Sequence, residues 1–292
     1  MTDWSFSRRG GDTAWHELVD AHRRDLDLGE LTVRVVDLGA GPAVVMVHGW
    51  GDSTYTWHRT VVPLTDAGLR TVLVDQPGMG RSTPPPPPDA FRLEGQARHV
   101  LAAIDRLGIG RFRLLGHSMG GSIVLELCRA HPDRVERAAV VAPVCHHPRR
   151  PAMARRGLHR LARFLPRRVL VRLTLQKLFV DRSRVDRRLV DEYARAAARP
   201  DFELNLALLA RRFFSPAFDR MVADLARIRT PILVIWGARD PWLSLHRGRA
   251  LAETLPDGQL QVIPTTGHMP HQERPDLVNP LLVKHLADGG EP

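Results

Sequence analysis

Three residues far apart in the chain have the types that serine-based acyl chemistry needs. Ser118 stands in Gly116-His117-Ser118-Met119-Gly120, Asp240 in Gly237-Ala238-Arg239-Asp240-Pro241, and His268 in Thr265-Thr266-Gly267-His268-Met269-Pro270. A neutral serine hydroxyl is a weak nucleophile near neutral pH, and an imidazole that takes its proton during attack makes it competent. A carboxylate on the far side of the ring fixes the tautomer and stabilises the imidazolium. Taken singly, each has a plain structural reading: a glycine-flanked turn, a turn aspartate, one of 14 histidines. Each lies just past an apolar run, in the order serine, aspartate, histidine, and that makes them a set.

The apolar runs are the elements that must position these side chains. Phe112 to Leu115 precedes the serine, and the small-residue helical pattern Gly121-Ser122-Ile123-Val124-Leu125 follows it, which reads as a nucleophile elbow between strand and helix. Pro231 to Trp236 and Leu260 to Pro264 deliver Asp240 and His268 to strand ends, where open α/β sheets place ligands. A further run, Ala43 to Val47, leads into His48-Gly49-Trp50-Gly51. An oxyanion hole needs two inward donors, and the expected pair is the amides of Met119 and Trp50. His48 reads as a structural residue of that loop. Trp50, Met119, Trp242 and Met269 are the expected walls of a substrate pocket.

With these motifs in place the chain resembles the α/β-hydrolase superfamily, of the capped type that includes esterases, lipases, epoxide hydrolases, haloalkane dehalogenases and carbon–carbon bond hydrolases. The likeness covers about residues 28 to 143 and 218 to 287. It also rests on Asp75-Gln76-Pro77-Gly78-Met79-Gly80-Arg81-Ser82 after the run Thr71 to Val74, and on Gly267 to Pro275. The resemblance implies a mostly parallel central sheet flanked by helices, with no metal or organic cofactor. Epoxide hydrolases and dehalogenases of this type carry aspartate at the elbow, so Ser118 argues against both. Carbon–carbon bond hydrolases usually show Gly-Pro-Gly after the oxyanion glycine, whereas this chain has Gly51-Asp52-Ser53-Thr54. Ester or thioester hydrolysis with an apolar acyl or alkyl group therefore ranks first on sequence grounds. Acyl transfer, cyclisation or carbon–carbon cleavage by the same triad is the alternative, and perhydrolysis stays open as a side activity. A noncatalytic binding protein is disfavoured because the triad is intact.

Between the run Ala138 to Ala142 and the restart at Arg229-Thr230-Pro231, about seventy residues show no strand pattern. In this family a helical cap enters there, giving a core at 1–143, a cap at 144–217 and the rest of the core at 218–292. Apolar positions recur at helical spacing in Leu158, Leu161, Phe164 and Leu165, in Val169, Leu170, Leu173 and Leu178, and in Leu204, Leu206, Leu208 and Leu209. Residues 144–215 carry 18 Arg and Lys against six Asp and Glu, while the whole chain is +10. The basicity is thus confined to the cap. One reading is attraction of an anionic substrate, a carrier-bound substrate or an anionic membrane surface by Arg149, Arg150, Arg155, Arg156, Arg160, Arg163, Arg167 and Arg168; the other is a compositional arginine bias. Nucleic acid fits poorly, because no recognised binding motif accompanies the arginines. No apolar stretch approaches the ~20 residues that span a bilayer, and Met1 to Arg9 lacks an apolar signal-peptide region, so a cytoplasmic protein is expected. Cys128 and Cys145 read as small buried residues, and Pro84 to Pro88 as a stiff extended spacer.

Overall fold

The computed structural model describes residues 11–84, 88–146 and 165–288. Arg149, Arg150, Arg155, Arg156, Arg160 and Arg163, the apolar positions Leu158, Leu161 and Phe164, and most of the proline run lie outside the described residues.

Eight strands form one sheet: β1 (Arg23–Asp27), β2 (Thr32–Leu38), β3 (Ala43–Val47), β4 (Arg70–Val74), β5 (Phe112–His117), β6 (Val135–Val141), β7 (Ile232–Gly237) and β8 (Gly258–Ile263). Their spatial order is β1-β2-β4-β3-β5-β6-β7-β8. Pairing is antiparallel at β1–β2 and β2–β4 and parallel from β4 to β8. β3, β5 and β7 are buried at every position, as continuous Val/Ile/Leu runs require when helices cover both faces.

The helices are α1 (Gly11–His22), α2 (Val61–Asp66), α3 (Leu93–Arg106), α4 (Met119–Ala130), α5 (Arg167–Leu178), α6 (Arg187–Ala196), α7 (Phe202–Arg212), α8 (Pro216–Ala223), α9 (Leu245–Thr254), α10 (Pro270–Glu273) and α11 (Pro275–Ala287). Alternation along β3 divides the core. Val45 and Val47 face a cluster with Ile104 of α3, Val124 of α4 and Met221 of α8. Val44 and Met46 face Leu18 of α1, Leu64 of α2 and Leu282 of α11.

Helices α5 to α7 stand between β6 and β7, where the inserted cap is expected. The expected boundary at 217/218 falls inside α8. That helix packs on α3 and α4, and Phe218 and Met221 are wholly buried beneath it, so α8 belongs to the sheet's helical layer. Arg187–Ala196 was not expected as a helix; its start is set by Asp186, whose side chain accepts from Leu189 N at 2.8 Å. No helix among the described residues is long and apolar enough to cross a membrane.

Candidate active site

Ser118 joins β5 to α4 with φ 52° and ψ −116°, a conformation that is costly for a residue bearing a Cβ. The strain falls on the serine itself, and the flanking glycines serve close approach. A Cβ at Gly120 would lie 2.2 Å from Val47 O, and one at Gly116 would lie 2.5 Å from Gly120 O. Backbone bonds hold the turn: Ser118 N donates to Val141 O at 2.9 Å, and Ser118 O accepts from Gly121 N and Val144 N. The hydroxyl is thereby raised at the carboxyl edge of the sheet.

The three side chains singled out in the sequence are hydrogen-bonded in one line. Ser118 Oγ lies 3.0 Å from His268 Nε2, and His268 Nδ1 lies 2.7 Å from Asp240 Oδ2. The other carboxylate oxygen, Oδ1, accepts from Trp242 N at 2.8 Å and Leu243 N at 2.9 Å. Asp240 is thus fully satisfied and its side chain fully buried, which keeps the ring's Nδ1–H donating to it and leaves Nε2 as the acceptor facing the hydroxyl. Such a line can pass a proton from serine to imidazole as the oxygen attacks a carbonyl.

The amide of Met119 opens α4, where an N–H has no acceptor within its own helix. Trp50 follows Gly49, at which a Cβ would lie 3.0 Å from His117 Nδ1 and 3.3 Å from Ser118 Cβ, so the absence of a side chain lets this loop sit tightly against the elbow. Among the described residues neither the Trp50 nor the Met119 amide has a backbone acceptor. His48 fixes the loop from within: its Nδ1 bonds Gly49 O at 2.8 Å and its Nε2 accepts from Gln76 N at 3.0 Å. Burial holds the His48 imidazole below its ordinary range, so it stays neutral and able to accept.

The four expected pocket walls divide. Trp242 is 43% exposed and its ring stacks over His268 at 5.9 Å; Trp50 is 39% exposed, and its Nε1 donates to Leu206 O of α7 at 3.4 Å. Met119 and Met269 are instead almost fully buried, in the apolar clusters on opposite faces of the sheet.

Sequence reasoning gave no role to Glu273, although it lies in the motif Gly267 to Pro275. Its buried carboxylate accepts from Gly267 N at 2.6 Å, Val180 N at 2.8 Å and Asp181 N at 3.0 Å. His268 N in turn donates to Leu178 O, the end of α5, at 2.8 Å. One carboxylate therefore ties the histidine loop to the segment leaving α5. A second unforeseen support is His117, whose Nε2 donates to His268 O at 3.0 Å. Further behind the site, Gln272 Nε2 donates to Thr56 Oγ1 at 2.8 Å and to Tyr193 OH at 2.9 Å, and Tyr193 OH donates to Asp52 Oδ2 at 3.0 Å. Burial pushes the Asp52 carboxyl up to about 7. The only sequence signal for these groups was charged and amide residues within otherwise buried runs.

A family model described as alpha/beta hydrolase fold matches residues 42–275. Over 278 residues, 90% of this chain and 93% of the relative, the sequence is 30% identical to a 2-hydroxy-6-oxo-6-phenylhexa-2,4-dienoate hydrolase of Burkholderia cepacia. It is 29% identical to a 2-hydroxy-6-oxononadienedioate/2-hydroxy-6-oxononatrienedioate hydrolase of Comamonas testosteroni, over 90% of this chain and 93% of that one. Among solved structures, the 2-hydroxy-6-oxo-6-phenylhexa-2,4-dienoate hydrolase of Rhodococcus sp. strain RHA1 superposes with a TM-score of 0.79 at 24% identity, covering 91% of this chain and 98% of that one. A thermophilic esterase from Thermogutta terrifontis superposes with a TM-score of 0.73 at 24% identity, covering 90% and 97%. Fold, motif order and full-length similarity agree: the chain is a member of the alpha/beta hydrolase fold family.

Proposed function

We propose that Ser118, His268 and Asp240 form the catalytic triad of a hydrolase that works through an acyl-enzyme, and that its substrate is a 2-hydroxy-6-oxodienoate cleaved at a carbon–carbon bond. The carrying observation is the unbroken hydrogen-bonded line from Ser118 Oγ through His268 to Asp240. The choice of bond rests on the relatives' activities at similarity over about nine-tenths of both chains, and it reverses the sequence-based preference for esters.

Ser118 Oγ attacks the 6-oxo carbon while His268 Nε2 takes the proton, and the amides of Met119 and Trp50 stabilise the tetrahedral oxyanion. Expelling carbon rather than oxygen needs an electron sink. Tautomerisation of the 2-hydroxydienoate to its 2-oxo form supplies one, because electrons released at C5 then conjugate through C3=C4 to the 2-oxo group. The proton gained in that tautomerisation sits on C5. When the C5–C6 bond breaks, its electron pair forms C4=C5 and the 2-oxygen takes up a proton, and water activated by His268 then releases the acid from Ser118. With a 6-phenyl substrate the products are benzoate and 2-hydroxypenta-2,4-dienoate. Trp50 and Trp242 form the exposed walls, and helices α5 to α7 form the cap over them.

Ester hydrolysis is the second reading, favoured by Gly51-Asp52-Ser53 in place of Gly-Pro-Gly. Turnover of 2-hydroxy-6-oxo-6-phenylhexa-2,4-dienoate, followed by loss of its conjugated absorbance, is compared with that of phenyl benzoate. The dienoate is expected to have the higher kcat/KM, and Ser118→Ala to lower both at least about 10³-fold. Turnover of the ester alone would establish the second reading; turnover that survives loss of the serine would remove the triad.

A further inference from the structure

A cavity of about 670 Å³ lies behind the histidine loop, between the core and the helices α5 and α6, and neither Ser118, Asp240 nor His268 lines it. Its apolar walls combine three aromatic side chains, Trp15, Tyr55 and Phe179, each about 5% exposed or less, with Val62, Leu189 and three prolines. Trp15 meets Tyr55 edge-on with centroids 5.5 Å apart, and Tyr55 stacks flat on His58 at 4.4 Å. The polar lining includes three arginines, Arg59 from the core and Arg184 and Arg188 from the α5–α6 side; Arg184 reaches Asp181 Oδ2 through Nε at 3.4 Å, which leaves its two terminal nitrogens for a second anion.

Arg59 is the informative one. Its Nε donates to His58 Nε2 at 3.2 Å, and His58 Nδ1 bonds Tyr55 O at 3.0 Å, which fixes the direction of the guanidinium. Burial, with Arg59 beside it, holds the His58 imidazole down at about 3, so it remains a neutral acceptor. No described carboxylate forms an ion pair with Arg59. The two acids on the lining are engaged elsewhere: Asp276 is held by Arg274 Nε and Nη2, and Asp186 caps α6 through Leu189 N. Burial and the neighbouring Arg184 both disfavour the Arg59 charge, a cost that a bound anion would relieve.

We propose that this cavity is a binding site for an aromatic carboxylate, its ring against the side of the cavity formed by Trp15, Tyr55 and Phe179 and its carboxylate on the guanidinium groups of Arg59 and Arg184. The site is separate from Ser118 and stands whatever reaction the serine performs. Because its walls come from both the core and the α5–α6 segment, an occupant links the two. Gln272, which lines the cavity, is also bonded to Thr56 and Tyr193 behind the histidine loop.

The test uses benzoate as probe, titrated calorimetrically into the full chain, with inorganic phosphate as competitor. Saturable one-site binding is expected, weakened about tenfold in Arg59→Gln and in Arg184→Gln, with turnover at Ser118 in the absence of probe retained. Benzoate should also raise the unfolding temperature of the parent chain more than that of either variant. The proposal is overturned by any of three results: no saturable binding, equal binding in both variants, or displacement of benzoate by equimolar phosphate. The last would mark a simple anion patch.

Discussion

Asp240 shows how much a single carboxylate must do here. One oxygen orients His268 and the other anchors the Trp242 and Leu243 amides. In Asp240→Asn the anchoring oxygen survives, but an amide N–H now faces His268 Nδ1. The ring then carries its proton on Nε2 and cannot accept from Ser118. A fall in kcat of about 10⁴ with an unchanged circular dichroism spectrum is expected; a loss of less than tenfold would mean that the carboxylate does not set the tautomer. At this scale the sequence was readable where chemistry restricts residue type, since few side chains can serve as nucleophile, base and orienting acid, and Ser118, Asp240 and His268 each stand just past an apolar run. It was unreadable where a side chain acts on the backbone. Nothing in the spacing distinguishes His117, which supports His268 O, from any other buried histidine, and Met269 beside His268 is almost fully buried.

Among the elements, the parallel strands and the elbow were legible because continuous β-branched runs ending in glycine have few other solutions. β1 and β2 were not foreseen. β1, Arg-Arg-Asp-Leu-Asp, buries a single residue at the sheet edge and is held by cross-strand pairs such as Arg34 with Asp25 at 2.7 Å, a pattern that period-two hydrophobicity does not report. The joint between α5 and the histidine loop was equally hidden, since Glu273 acts through three backbone amides. Glu273→Ala leaves these donors without an acceptor, at about 1–3 kcal/mol each where they remain buried. It should lower the unfolding temperature and lower kcat more than it raises KM. Glu273→Gln, which keeps one carbonyl oxygen, should recover part of both. Equal activity in all three proteins, measured by steady-state kinetics, would confine Glu273 to stability alone.

Across the whole molecule, buried neutral histidines make folding sensitive to acid. His271 is fully buried and burial pushes its imidazole down to about 3, while His117 is held well below 6.5 for the same reason. Below pH 6.5 the unfolded chain takes up protons that the folded chain refuses, so the stability present above that pH declines as pH falls. Each such group contributes about 1.4 kcal/mol per pH unit. Urea unfolding at pH 8 and pH 5 should show that loss, and His271→Gln should make it shallower; a flat profile would count against neutral burial. The uneven charge of the chain is partly offset locally, since Arg168 of α5 pairs with Asp191 of α6 and Arg195 with Glu192 within α6. The placement of α8 has a different bearing. β6 and β7 are parallel neighbours, and α8 packed on α3 and α4 already completes a β-helix-β crossover between them. Everything from α5 to α7 is therefore a detour spliced into a finished motif, and it is fastened to the histidine loop along the seam where Leu178, Val180 and Asp181 meet His268 and Glu273.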